Sequence, residues 1–276
     1  MQVAVKAALD YYVAAPTSFV FNVAAAWTDH QRVVQETLCI EPDEAEAEKN
    51  KARRGDNRLL RVNAPEGQFR LVYEALVELS PQMDVREKLL QKAHGGLPDE
   101  TLTFLNPSRY CPSDRLDRWA LREFGNTGQD GSRVEAICDW IHERMDYQPG
   151  TTDSRTDATE ALVQCAGVCR DYAHVGIAFC RAMGIPARYV SGYAVDLDPP
   201  DFHGFFEAYL GDAWYLFDAT KLAPREGFVR IGVGRDAADC AFAIIVGAAQ
   251  LTSMEVSAKR QGHSEAGCGD RAISTA

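Results

Sequence analysis

Gly167-Val168-Cys169-Arg170-Asp171-Tyr172-Ala173-His174 joins a glycine-bearing loop directly to an amphipathic helix, with Cys169 in the first turn. The helix is predicted to run from Cys169 to Met183, where Gly184-Ile185-Pro186 stops it. The first amides of a helix have no partner within it, and its dipole favours negative charge there. A cysteine in that position should lose its proton more readily than a free thiol. The competing reading is a buried structural cysteine, the usual fate of a lone one.

A thiol nucleophile needs a base, and the base needs a group to orient it. Of the six histidines, His174 is nearest in sequence. Five residues along a helix turn the side chain about 140° away from Cys169, so His174 reads as a packed helix histidine. His30, His94 and His142 lie in surface-like segments, and His263 lies near the C-terminus. His203 opens the strand Gly204 to Leu210, and Trp214 to Asp218 returns after Gly211-Asp212. A two-residue hairpin loop would pair Leu210 with Ala213. Asp218 then becomes a diagonal neighbour of His203 on the same sheet face. A three-residue loop would reverse the parity and separate them. An aspartate so placed fixes the imidazole tautomer and stabilises its charged form.

Around this stretch the chain changes character. Val3 to Val13, Ser18 to Ala25, Arg32 to Ile40, Arg58 to Val62 and Phe69 to Leu79 read as strands of an antiparallel sandwich or open barrel. Glu41 to Asp56 is charged and without apolar periodicity, so it is predicted to be a solvated loop. Residues 1–96 form this β domain and 97–260 a helix-on-sheet core, giving an α+β chain. Helices are predicted at Ser113 to Phe124, Ser132 to Tyr147 and Ala158 to Gln164. Strands follow at Ala187 to Ala194, Gly204 to Leu210, Trp214 to Asp218, Phe228 to Val233, Phe242 to Val246 and Leu251 to Ala258. Residues 261–276 read as a flexible tail.

The 276 residues carry 29 basic and 40 acidic side chains, a net charge of −11. Such a chain repels phosphate backbones and anionic lipid, so nucleic acid and membrane are excluded as expected partners. No apolar run approaches the roughly 18 residues of a spanning helix, and the N-terminus lacks a signal-peptide pattern. A cytoplasmic location is the expectation. Eight cysteines without any Cys-x-x-Cys pair give no disulfide framework and no zinc site. No acidic twelve-residue calcium loop occurs, so neither metal nor cofactor is expected.

The order cysteine, histidine, aspartate, spaced 34 and 15 positions apart, resembles the transglutaminase-like superfamily of papain-like thiol enzymes. The matching text is Gly167 to His174, Gly184-Ile185-Pro186-Ala187-Arg188-Tyr189-Val190-Ser191-Gly192-Tyr193, Phe202-His203-Gly204-Phe205-Phe206-Glu207-Ala208-Tyr209-Leu210 and Trp214-Tyr215-Leu216-Phe217-Asp218-Ala219-Thr220. Gly234-Arg235-Asp236-Ala237-Ala238-Asp239 is similar to the bacterial branch, as is the preceding β domain. The resemblance covers about Leu97 to Val256 and implies a peptide or protein amide substrate. It makes Cys169 the nucleophile, His203 the base and then the acid, and Asp218 the orienter. Phe205 stands where the family has an aromatic, and Gly204 replaces the family's alanine after the histidine.

The Cys169 amide and Gln164 are oxyanion candidates, Gln164 against a plain helix-end glutamine. Arg188 and Tyr193 are candidates to line the cleft, with a core-strand reading open for Tyr193. Asp171 reads as a first-turn helix carboxylate. Asp236 and Asp239 read as turn caps or as a site for a cationic group. The β domain, with no catalytic grouping of its own, is expected to wall the cleft. A second class of function stays open: a binding or scaffold module that keeps the fold without chemistry.

Overall fold

Buried and exposed side chains alternate through Gly67–Leu79, the period of a strand with one face in a core. In the computed structural model, which describes residues 1–53, 57–262 and 271–276, this pattern begins an antiparallel sheet. Its strands are β1 (Gln2–Phe21), β2 (Gln31–Glu41), β3 (Glu46–Lys49), β4 (Leu60–Ala64) and β5 (Gly67–Leu79), ordered β2-β5-β1-β4-β3. Then follow β6 (Gln82–Val85), α1 (Asp99–Leu102), α2 (Asp117–Phe124), α3 (Gly131–Arg144), β7 (Asp146–Tyr147), α4 (Ala158–Gln164), β8 (Ala166–Gly167) and α5 (Cys169–Ala182). The chain ends with β9 (Ala187–Ala194), β10 (Phe202–Leu210), β11 (Ala213–Phe217), β12 (Phe228–Gly234), β13 (Ala243–Gln261) and β14 (Arg271–Ser274). A second sheet has the order β12-β9-β10-β11-β14-β6. The class expected from the sequence, α+β with an N-terminal antiparallel domain and a helix-on-sheet core, is the class observed.

Helix α5 packs on β9 and β10 and is the centre of the second core. Phe179, fully buried, takes the edges of Trp119, Phe124 and Trp140 at centroid distances of 5.9, 5.3 and 5.4 Å. Burying a side chain of that size stabilises by about 3 kcal/mol. A separate core joins the two sheets, where Tyr193, Val195, Val229 and Ile231 pack among β1, β4 and β5. Gln31 reinforces the joint: its amide donates to the Ala26 and Arg230 carbonyls and accepts from the Arg230 amide.

The sequence reading needs four corrections. The two strands expected before Ala25 are one, because β1 pairs with β5 up to Val13 and with β4 from Thr17. Pro16 falls between those ladders, where no N–H is required on that side. The loop expected at Glu41 to Asp56 contains β3, which pairs with β4; its last residues, 54–56, lie outside the described residues. The boundary at 96/97 is crossed in both directions. β13, one strand rather than the expected two, runs along β1 in the first sheet, whereas β6 belongs to the second. Finally, the flexible tail expected at 261–276 is not what its described end does. β14 pairs with β6 and β11, Ala272 and Ile273 are buried, and Thr28 donates to the Thr275 carbonyl. Residues 263–270, with His263 and Cys268, lie outside the described residues.

Candidate active site

Cys169 owes its place to three local devices. Cys165 ends α4 in a left-handed conformation (φ 52°), and the chain then forms the short β8 parallel to β7. Gly167 follows, at a position where a Cβ would sit 2.7 Å from that of Asp171. Val168 is extended, and its amide donates to the Asp171 carboxylate at 2.9 Å, closing the first turn of α5. Thr152 and Arg170 also donate to that carboxylate. Asp171 is thus the helix-end carboxylate its position predicts, and Cys169 is held half-buried at a fixed helix start.

His203 and Asp218 come together through the hairpin register. Leu210 pairs with Ala213 and Phe206 with Phe217 across a two-residue turn in which Gly211 has φ 60°. Asp218 follows directly on β11, and the His203 Nε2–H donates to its Oδ2 at 2.9 Å. The other carboxylate oxygen accepts from the Thr220 amide at 2.9 Å and the Thr220 hydroxyl at 2.8 Å. Both partners are buried, His203 at 2% and Asp218 at 7% exposure. Phe228 and Phe205 pack against the imidazole, at 5.3 and 6.4 Å between centroids. Nδ1 is buried and has no hydrogen-bond partner among the described residues; besides Asp218, the Cys169 thiol influences the ring electrostatically.

The electrostatics follow from that packing. Burial opposes a charge on His203, but Asp218 and then Cys169 outweigh it and raise the pKa from 6.5 to about 10. Burial likewise opposes the Asp218 carboxylate, yet His203 and Thr220 hold it below its ordinary 3.8. The stable arrangement is a charged ring on a charged carboxylate.

These residues open on a cleft of about 380 Å³. Cys169, Arg170 and His203 lie in it with Tyr110, Tyr189, Phe202, Ile231, Phe242 and Met254. Met254 belongs to β13, so the first sheet does reach the cleft, although through a C-terminal strand; residues 1–96 line none of it. Among the described residues no group of His, Cys, Asp and Glu could hold a metal ion, and no helix is long and apolar enough to cross a membrane.

The remaining candidates separate. Gln164 is exposed on a different cleft, with Thr151, Asp153, Thr156 and Glu160, and does not line the one that holds Cys169. Arg188 does not line the Cys169 cleft either. It is half-buried, paired with the buried Glu207 at 2.7 Å, and lies over the Trp214 ring at 4.1 Å. Tyr193 is a core residue whose hydroxyl donates to the Val23 carbonyl at 2.6 Å, tying β9 to the first sheet. Phe205 is fully buried and backs the imidazole. His174 is buried between Tyr110 and Tyr189, accepts from the Ala237 amide, and is held neutral with a pKa near 3 by burial. Asp236 accepts from the Tyr110 and Ala238 amides and Asp239 pairs with Arg235, so both serve the turn.

Tyr147 is the residue the sequence reading missed. It sits in the β7–β8 pair opposite Gly167, two residues before Cys169, and is 40% exposed and close enough for Cys169 to influence its phenol. Partial burial and then the neighbouring Cys169 push that phenol well above 10, so it stays a donor. A helix-period reading carried α3 through Tyr147; α3 ends at Arg144, and the segment after it is extended.

A half-buried cysteine at a helix start, beside a buried His–Asp pair, is the architecture of the papain-like thiol enzymes. The chain belongs to the transglutaminase-like superfamily. The profile of that superfamily's core matches residues 118–219, and that of the bacterial transglutaminase N-terminal domain matches residues 1–92. The chain is similar to a solved candidate cysteine protease from Cytophaga hutchinsonii: 40% identity, TM-score 0.94, covering 99% of this chain and 97% of that one. An uncharacterized protein of Mycobacterium leprae is 34% identical over 149 residues, and the match spans about half of each chain (50% and 52%). One from Mycobacterium tuberculosis is 26% identical over 238 residues, covering 76% of this chain and 74% of its own. At the level of the family this is a thiol-dependent enzyme.

Proposed function

We propose that the chain is a cysteine amidase or peptidase that works through an acyl-enzyme on Cys169, with peptide or protein amides as substrates. The observation that carries this is the 2.9 Å bond from the buried His203 ring to Asp218, with the Cys169 thiol acting on the same ring. The Cys169 S–H proton passes to His203, the sulfur adds to the amide carbonyl carbon, and the carbonyl oxygen takes up the negative charge. Tyr147 supports that charge with its hydroxyl, next to the Cys169 amide. The His203 imidazolium gives its proton to the departing nitrogen, the C–N bond breaks and a thioester remains. Asp218 keeps the ring oriented and charged until that transfer. An incoming water or amine then loses a proton to His203, attacks the thioester and releases the thiolate. Hydrolysis and acyl transfer to an amine are therefore one mechanism with two acceptors.

A peptide library incubated with the full chain and read by mass spectrometry tests this, with and without an added primary amine. Cleaved or amine-tagged products should appear with wild type and vanish with Cys169→Ser. A protein that labels with no thiol-directed activity probe and changes no peptide is a binding module instead.

A further inference from the structure

Tyr189 is 6% exposed and lines the same cleft as Cys169 and His203; its hydroxyl has no hydrogen-bond partner among the described residues and is not sealed from the cleft. Its ring does not wander. It lies 5.3 Å from the His174 ring, which stacks in turn on Tyr110 at 5.1 Å. The backbone around it is equally fixed: Tyr189 pairs with Phe206 of β10, so Gly204 is its diagonal neighbour on the same face. A Cβ at Gly204 would stand 2.3 Å from the Tyr189 hydroxyl oxygen and 3.0 Å from Cζ. The phenol occupies the space that any other side chain after His203 would fill. Gly204 therefore does for Tyr189 what backbone freedom alone would not explain. Burial and then the neighbouring Cys169 raise the phenol well above its ordinary 10, so it stays protonated and a donor. A fixed donor that faces the cleft and is not engaged by the protein is available to an acceptor atom of a ligand.

We propose that Tyr189 is a specificity-determining residue whose hydroxyl donates to a carbonyl oxygen in the acyl part of the substrate, while Phe202, Phe242 and Met254 receive an apolar side chain. The substrate class is thus an amide with a peptide-like acyl segment carrying a bulky apolar group next to the reacting carbonyl. Phe202 and Phe242 stack at 5.2 Å and form one wall of that space, and Met254 of β13 adds an adaptable thioether. A site built around a hydrogen bond rejects ligands without the acceptor far more strongly than a purely apolar one. The inference rests on the thiol-enzyme reading and assigns its substrate preference.

Two alkylating probes separate the two claims in the full-length protein. Iodoacetamide reports the Cys169 thiol alone; N-acetyl-phenylalanine chloromethyl ketone also needs the acyl cleft. Rates at Cys169 are read by peptide mapping for wild type, Tyr189→Phe, Gly204→Ala and the double variant. In Tyr189→Phe, which keeps the ring and its packing, the ratio of ketone to iodoacetamide rates should fall roughly five- to tenfold. Gly204→Ala should lower the ratio too, by displacing the hydroxyl, and the double variant should be no worse than Tyr189→Phe. Replacing phenylalanine by alanine in the ketone should slow the wild type by at least tenfold. An unchanged ratio in Tyr189→Phe, or equal losses with both probes, overturns the proposal. So does a double variant that loses clearly more than Tyr189→Phe. Wild-type Cys169 reacting with iodoacetamide no faster than the exposed Cys39 would instead overturn the thiol-enzyme reading itself.

Discussion

Replacing Asp218 by asparagine removes one charge while keeping the size of the side chain and an oxygen that can face the His203 ring. The gap between an ordinary histidine at 6.5 and about 10 in this fold corresponds to about 5 kcal/mol in favour of the charged ring. That preference stands after the opposing burial, and Asp218 heads the groups that produce it. Asparagine leaves the burial and withdraws the leading partner, so the ring should titrate at or below 6.5. It would then be largely neutral at pH 7.5 and unable to protonate a leaving nitrogen. Turnover at that pH should fall by about 10³-fold, within a range of roughly 10² to 10⁴ for loss of an orienting carboxylate.

Imidazole NMR of labelled protein measures the ring, and the pH dependence of kcat/KM on a library-derived peptide measures the consequence. In wild type the ring should keep its proton up to about pH 10; in Asp218→Asn it should lose it below pH 7. The stability linkage has the same sign. Because the folded pKa is raised, the stabilisation is complete below 6.5 and drains away as pH rises through about 10. Thermal midpoints of wild type should therefore drop over that window and those of the variant should not. A variant whose ring still titrates near 10, or whose turnover stays within threefold of wild type, would refute the reasoning.

Tyr147→Phe removes the hydroxyl beside Cys169 and should lower kcat by about 10²-fold with little change in KM, since an oxyanion donor acts in the transition state; stopped-flow acylation checks this. Burial raises the thiols of Cys138, Cys180 and Cys240 and pushes Cys111 up to about 12, so mild alkylation at pH 7.5 should leave all four intact while Cys169 is consumed, as peptide mapping will read. Glu207, fully buried, pairs with both Arg188 and Arg230; Glu207→Gln leaves two guanidinium groups uncompensated and should cost about 3 to 5 kcal/mol in a urea melt. Deleting residues 1–95 should give insoluble protein rather than a working core, because β13 loses its partner β1 and β14 its edge strand β6; soluble, folded product by circular dichroism would contradict the shared-sheet architecture.

What the sequence made legible is what short-range rules govern. The helix from Cys169 was readable because Gly167 and Gly184 bracket a single amphipathic run, and α5 ends at Ala182, one residue short of the expected Met183. The His203–Asp218 contact was readable because a tight turn at Gly211-Asp212 fixes the register of two adjoining strands. The misses share the opposite property. β13 reads locally as strand, but nothing near it in sequence says that its ladder is β1, more than two hundred residues earlier. β14 is four residues in a Gly/Ser-rich end, and only the gap between β11 and β6 makes it a strand. Tyr147 reaches Cys169 through a two-residue parallel pairing that carries no periodicity of its own. Arg188 and Tyr193 looked like cleft residues because they flank the strand after the nucleophile helix. Their polar ends are instead satisfied inside, by Glu207 and by the Val23 carbonyl. Tyr189 sits between them on the same strand, and its hydroxyl has no such partner, which is why of these three side chains only Tyr189 lines the cleft.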